Sequence, residues 1–171
     1  MRLALYQPDI PQNAGTLIRT AACLGLPVDI VEPCGFLLGD RHFRRAGLDY
    51  MERAVVMRHR SWPSFEAFRL AGPGRRLILL TTAGTTTYTR FRFRADDIVM
   101  VGRETGGVPP EVHAAADARL RIPMVPAERS LNVAVAAAMV LGEALRQTAW
   151  AEETAAFGPG MQDDVREHHD T

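Results

Sequence analysis

Six short apolar runs, at residues 3–6, 28–31, 54–57, 77–81, 98–101 and 120–122, are separated by segments of helical periodicity. A strand with one wet face alternates apolar and polar residues, whereas a run apolar on both faces is buried on both. Most of these six runs are continuous, which predicts strands of a largely parallel sheet. Helices are predicted over residues 13–24, 61–70, 110–116 and 130–150. Strand and helix in regular alternation give an α/β layered domain with helices on both faces of the sheet.

Local signals set the helix ends. Asn13 is the expected N-cap of the first helix and Gly25 its C-terminal stop. Pro63 falls in the first turn of the second helix, where its missing N–H costs nothing. The last helix carries Leu131, Val133, Val135, Met139, Val140, Leu141, Leu145 and Trp150 around its circumference. A helix apolar on most sides is covered on most sides. One side is expected against the sheet and another against a second copy of the chain, giving a homodimer through the C-terminal helix.

Ligands of open α/β sheets sit beyond the carboxyl ends of the strands. Three segments in that position, residues 81–87, 102–110 and 123–130, are rich in Gly, Thr or Pro and are expected to converge on one pocket. No G-x-G-x-x-G follows the first strand, where the chain reads Gln7-Pro8-Asp9-Ile10-Pro11-Gln12-Asn13, and there is no G-x-x-x-x-G-K-[ST] loop. A nicotinamide dehydrogenase or a P-loop nucleotidase is therefore disfavoured.

Charge points toward an anionic partner only once it is divided along the chain. The formal net charge is zero, all 20 basic residues are arginine, and residues 1–150 hold 19 of them against 14 acids. The body is thus basic by five charges and the segment 151–171 is acidic. Residues 1–150 form the expected folded domain and 151–171 an expected disordered acidic tail. Arginine's planar fork suits phosphate oxygens. Arg41, His42, Arg44, Arg45, Arg58 and Arg60 form one basic stretch, and Arg90-Phe91-Arg92-Phe93-Arg94 interleaves cations with rings. The latter reads either as a base-stacking surface or as a strand edge with buried phenylalanines. Cys23 and Cys34 have no metal-ligand spacing and read as small buried apolar residues in a reducing cytoplasm. No metal, membrane segment or signal peptide is expected, and the localisation expected is cytoplasmic.

Three ordered segments carry a family resemblance: Asn13-Ala14-Gly15-Thr16-Leu17-Ile18-Arg19, Gly102-Arg103-Glu104-Thr105-Gly106-Gly107, and Ile122-Pro123-Met124 followed by Ser130-Leu131-Asn132-Val133. They resemble N-x-G-x-x-x-R, G-x-E-x-x-G and the last motif of the SpoU branch of the SPOUT RNA 2′-O-methyltransferases. The stretches 6–13, 44–50 and 122–126 are similar to the bacterial subgroup that methylates the wobble nucleotide, 34, of leucine tRNAs, cytidine or uridine.

That resemblance implies a single SPOUT domain with a deep trefoil knot at its C-terminal end, an obligate homodimer, S-adenosylmethionine as cofactor and tRNA as substrate. It implies cofactor contacts at Leu80, Gly102, Ile122, Met124, Ser130 and Leu131, and catalytic roles for Arg19, Glu104, Ser130 and Asn132. RNA contacts are expected at Asn13, Arg41, Arg44 and Arg45. An arginine stays protonated near neutral pH, so Arg19 is expected to stabilise a developing alkoxide or orient a phosphate. Glu104 is expected to fix its loop or face the sulfonium. One departure is Ala134, where many relatives carry a polar residue, often Ser. The alternatives are methylation at another tRNA or ribosomal RNA site, and a knotted RNA-binding protein without catalysis.

Overall fold

The computed structural model describes residues 1–37 and 54–150. Seven strands form one sheet: β1 (Arg2–Tyr6), β2 (Val28–Val31), β3 (Val56–His59), β4 (Leu77–Leu80), β5 (Thr86–Thr87), β6 (Ile98–Val101) and β7 (Ala118–Arg121). Their order is β3-β2-β1-β6-β4-β7-β5, and each strand pairs in parallel with its neighbours. Among the described residues four α-helices complete the layers: α1 (Pro11–Cys23), α2 (Trp62–Ala71), α3 (Pro110–Ala115) and α4 (Val133–Thr148).

The period of two along each strand sorts the core into two clusters. Leu3, Leu5, Val28, Ile30, Ile78, Val99 and Val101 pack with α1 and α4. Ala4, Tyr6, Leu77, Leu79, Ile98 and Met100 point the other way, against Phe65 of α2 and Val112 of α3. The expected layered α/β fold with helices on both faces is therefore found. Alanines at 134, 137 and 144 let α4 lie close to its neighbours, and Val140, Leu141 and Leu145 fill the remaining space.

Several expected boundaries move. The third strand occupies Val56–His59 rather than 54–57, because its register is set by parallel pairing with β2 and by His59, which reaches the buried Asp29 carboxylate at 2.8 Å. Asp29 is fully buried and also accepts two bonds from Arg2, at 2.6 and 3.0 Å. This ion-paired cross-link of β1, β2 and β3 has no signature in the sequence pattern. The first helix starts at Pro11 with Ile10 in the cap position and no side-chain cap, so Asn13 does not serve as its N-cap. Gly25 does end it: its φ of +67° is open to glycine, and the N–H groups of Gly25 and Leu26 return to the carbonyls of Ala22 and Ala21. The last helix starts three residues later than expected, because Asn132 caps it.

The cysteine expectation is corrected in part. Cys23 is exposed at the end of α1, while Cys34 is half-buried and its thiol is pushed up to about 11, first by burial and then by Glu32. Phe91 and Phe93 stack edge to face at 4.9 Å and pack into the core, and Gln147 of α4 bonds the backbone of both. The base-stacking reading of residues 90–94 is therefore overturned; the rings point in and Arg90, Arg92 and Arg94 point out.

Candidate functional site

The carboxyl ends of β4, β6 and β7 open into one cavity of about 440 Å³. Its wall combines Leu79 and Leu80 at the end of β4, Val101–Glu104 beyond β6, Ile122 and Met124 beyond β7, and Ser130–Val133 leading into α4. The predicted convergence of three loops is thus found. All six expected cofactor residues line it: Leu80, Gly102, Ile122, Met124, Ser130 and Leu131. So do Glu104, Asn132 and Asn13.

The turn after β6 is shaped by two glycines. Arg103 and Gly107 exchange backbone bonds of 2.9 Å in each direction, closing the turn. Gly107 has a φ of +63°, and a Cβ on Gly102 would lie 2.7 Å from the Gly107 carbonyl carbon. No side chain fits there without opening the turn. The close approach that the spacing alone leaves as an ordinary turn is a wall of the cavity.

Asn132 ties the cavity together. Its Oδ1 accepts from the N–H groups of Ala134 at 2.9 Å and Val135 at 3.4 Å, capping α4. Its Nδ2 donates to Asn13 Oδ1 at 3.0 Å, across 119 residues of chain. Asn13 also stands beside Glu104, which works against the upward shift of that carboxyl. The three motif segments therefore meet at Asn132, Asn13 and Glu104.

Arg19 is placed elsewhere. It sits on the exposed side of α1 and does not line the cavity of its own chain. Ala134 is buried in the core and does not line the cavity either, so the polar residue of many relatives has no counterpart task there. Arg41, Arg44 and Arg45, with the 44–50 stretch and the segment 151–171, lie outside the described residues. Arg58, of the same basic stretch, is paired with Glu32, and Arg60 is exposed. Thr81, Thr82 and Arg103 lie in the loops expected to converge and Val133 in the third motif, though none is singled out there as a site residue; Asp9 as the partner of Glu104 is missed. Their adjacency to the three motifs was the available signal.

The lining is mostly apolar, with one cation, Arg103, and one acid, Glu104. A phosphate ligand calls for a cationic cradle or a helix N-terminus with free N–H groups; here the helix that opens at the cavity is capped by its own asparagine. S-Adenosylmethionine carries an adenine, a ribose and a sulfonium and no phosphate, and a cavity of this size lined by apolar groups and close backbone fits it. Among the described residues no cluster of His, Cys, Asp and Glu is arranged to hold a metal, and no helix is long and apolar enough to cross a membrane.

Comparison with known proteins agrees with this geometry. The model of the SpoU rRNA methylase family matches residues 1–142. A protein of Beijerinckia indica named tRNA (cytidine(34)-2′-O)-methyltransferase is 61% identical over 145 residues, covering 85% of this chain and 90% of the relative. A solved structure described as giving insight into 2′-OH methylation of C/U34 on tRNA superposes with a TM-score of 0.79 at 44% identity, over 85% of this chain and 94% of the other. The SpoU methyltransferase AviRb of Streptomyces viridochromogenes, solved with S-adenosylmethionine, gives a TM-score of 0.78 at 27% identity, over 86% of this chain and 60% of that one.

Proposed function

The chain belongs to the SpoU methylase family, and from that membership and the cavity's geometry we propose that it moves a methyl group from S-adenosylmethionine to the ribose 2′-hydroxyl of nucleotide 34 of tRNA, in leucine isoacceptors. The observation that carries this reading is the meeting of all three motif segments in one cavity whose lining includes a single cation, Arg103, among the described residues.

Bound there, S-adenosylmethionine supplies a methyl group made electrophilic by the adjacent sulfonium. The protein's part is alignment. Leu79, Leu80, Ile122 and Leu131 give the apolar wall, the Gly102–Gly107 turn brings backbone groups close, and the Asn132–Asn13 bond holds the third loop against α1. Lining up the hydroxyl oxygen, methyl carbon and sulfur is where much of the rate arises. Arg19 acts at the RNA side, steadying the alkoxide or a phosphate as the hydroxyl proton leaves.

Arg19 lies outside the cavity of its own chain, so this role calls for a second copy. Val135 and Met139 are 53 and 40% exposed and stand four residues apart, a stripe on the side of α4 away from the core. We read that stripe as the homodimer seam and Arg19 as reaching the partner's cavity. The C-terminal loops are read as the family's deep trefoil knot; β7 lying beside β4 while the 102–107 turn and the 123–132 segment share one cavity supports this. The protein is then a cytoplasmic dimer acting on tRNA, with residues 1–150 as its catalytic domain. The direct test is labelled methyl transfer to total tRNA followed by mapping of the modified nucleotide; 2′-O-methyl at nucleotide 34 is expected, and methyl on a base overturns the reading.

A further inference from the structure

Two carboxyl groups meet at the rim of the cavity. Asp9, in the loop between β1 and α1, donates its N–H to Glu104 Oε2 at 3.1 Å, and Glu104 donates its N–H to Asp9 Oδ1 at 3.1 Å. Asp9 Oδ2 also accepts from the Thr105 hydroxyl and lies 3.7 Å from Arg103 Nε. Glu104 Oε1, by contrast, is buried with no N–H or hydroxyl donor among the described residues. A buried carboxylate oxygen without a donor is costly, and a proton on the group removes that cost. The side chain facing Glu104 is itself a carboxylate, an acceptor for that proton. Burial first, and then Asp9, push the Glu104 carboxyl up, while the bond from Glu104 holds Asp9 down to about 2.

We infer that Asp9 is a positioning residue of the cofactor cavity: it shares one proton with Glu104, and this pair clamps the β1–α1 loop to the 102–107 turn, so that S-adenosylmethionine binds less well once the proton is lost. The inference rests on the cavity being the cofactor's. When the proton passes to solvent, Glu104 becomes a carboxylate facing the existing carboxylate of Asp9, and like charges at contact repel. Among the described residues Arg103 is the charged group that faces the pair, and it touches Asp9 only at the edge. Asn13 and Thr105, the other neighbours, are neutral and do not titrate.

Calorimetric titration of S-adenosylmethionine into the full chain tests this, at intervals of pH rising from the ordinary carboxylate value. For the native chain Kd is expected to rise roughly tenfold across that range. In Asp9→Asn the side-chain amide donates to the Glu104 carboxylate without a shared proton, so the excess slope disappears. The amino group of the ligand titrates equally against both chains, and circular dichroism confirms that both are folded. An infrared band of a neutral carboxylic acid at pH above the ordinary carboxylate value, present in the native chain and lost in Asp9→Asn, is expected independently of any ligand. A native slope retained in Asp9→Asn, including a uniform loss of affinity at every pH, overturns the inference, as does absence of the acid band. If S-adenosylmethionine fails to bind either chain at any pH while the band is present, the cofactor assignment falls, and the positioning role with it.

Discussion

Asn132 caps α4 with its carbonyl oxygen and holds Asn13 with its amide, so one short side chain sets both a helix start and a loop. Asn132→Ala is expected to cost about 1 kcal/mol of stability through the lost cap, read by urea denaturation, and also to weaken cofactor binding, which a surface cap elsewhere would not do. Arg19→Ala is expected to suppress methyl transfer while leaving the Kd for S-adenosylmethionine nearly unchanged, because Arg19 is read as acting on the RNA side of the reaction and not on the cofactor. The Asp9–Glu104 pair gives opposite pH signatures. Asp9, held down, contributes stability that is present above the ordinary carboxylate value and lost as pH falls toward about 2. Glu104, pushed up, contributes stability that is complete below its ordinary value and lost as pH rises through its folded value. At this scale the sequence marked residues that line the cavity but misread some local roles. Asn13 looked like a cap and is instead the partner of the asparagine that caps, since that bond spans 119 positions and no local pattern encodes it.

The strands were legible because a strand buried on both faces has to be apolar throughout, and β1, β4 and β6 are. β3 was misplaced by two residues because its apolar run continues outward through the exposed Val55, while its true end, His59, is polar and satisfied only by Asp29. β5 was missed since two threonines carry no periodicity. The Arg2–Asp29–His59 cross-link was likewise invisible, being assembled from three strands. Asp29→Ala removes the buried carboxylate that pairs with Arg2 and His59 and is expected to destabilise by about 3–5 kcal/mol, measured as a fall in the urea midpoint. The 102–107 turn makes the matching functional prediction. Gly102→Ala places a methyl 2.7 Å from the Gly107 backbone and is expected to weaken cofactor binding at least about tenfold in calorimetry, with one added carbon as the only change.

At the scale of the whole molecule, composition indicated a basic body and pattern indicated a layered sheet, but the reaction came from three motifs that are far apart in the chain and adjacent in space. The helix apolar on most of its circumference was readable as two-sided. The structure accounts for one side, with Ala137, Val140, Leu141 and Ala144 in the core, and leaves Val135 and Met139 outside. Met139→Glu is expected to shift the chain from dimer to monomer in analytical ultracentrifugation and to abolish methyl transfer with the fold retained. The most direct test of the central claim uses two leucine tRNAs that differ by one oxygen, one with ribose and one with 2′-deoxyribose at nucleotide 34. Labelled methyl from S-adenosylmethionine is predicted to reach the first and not the second; equal labelling of both would contradict the account.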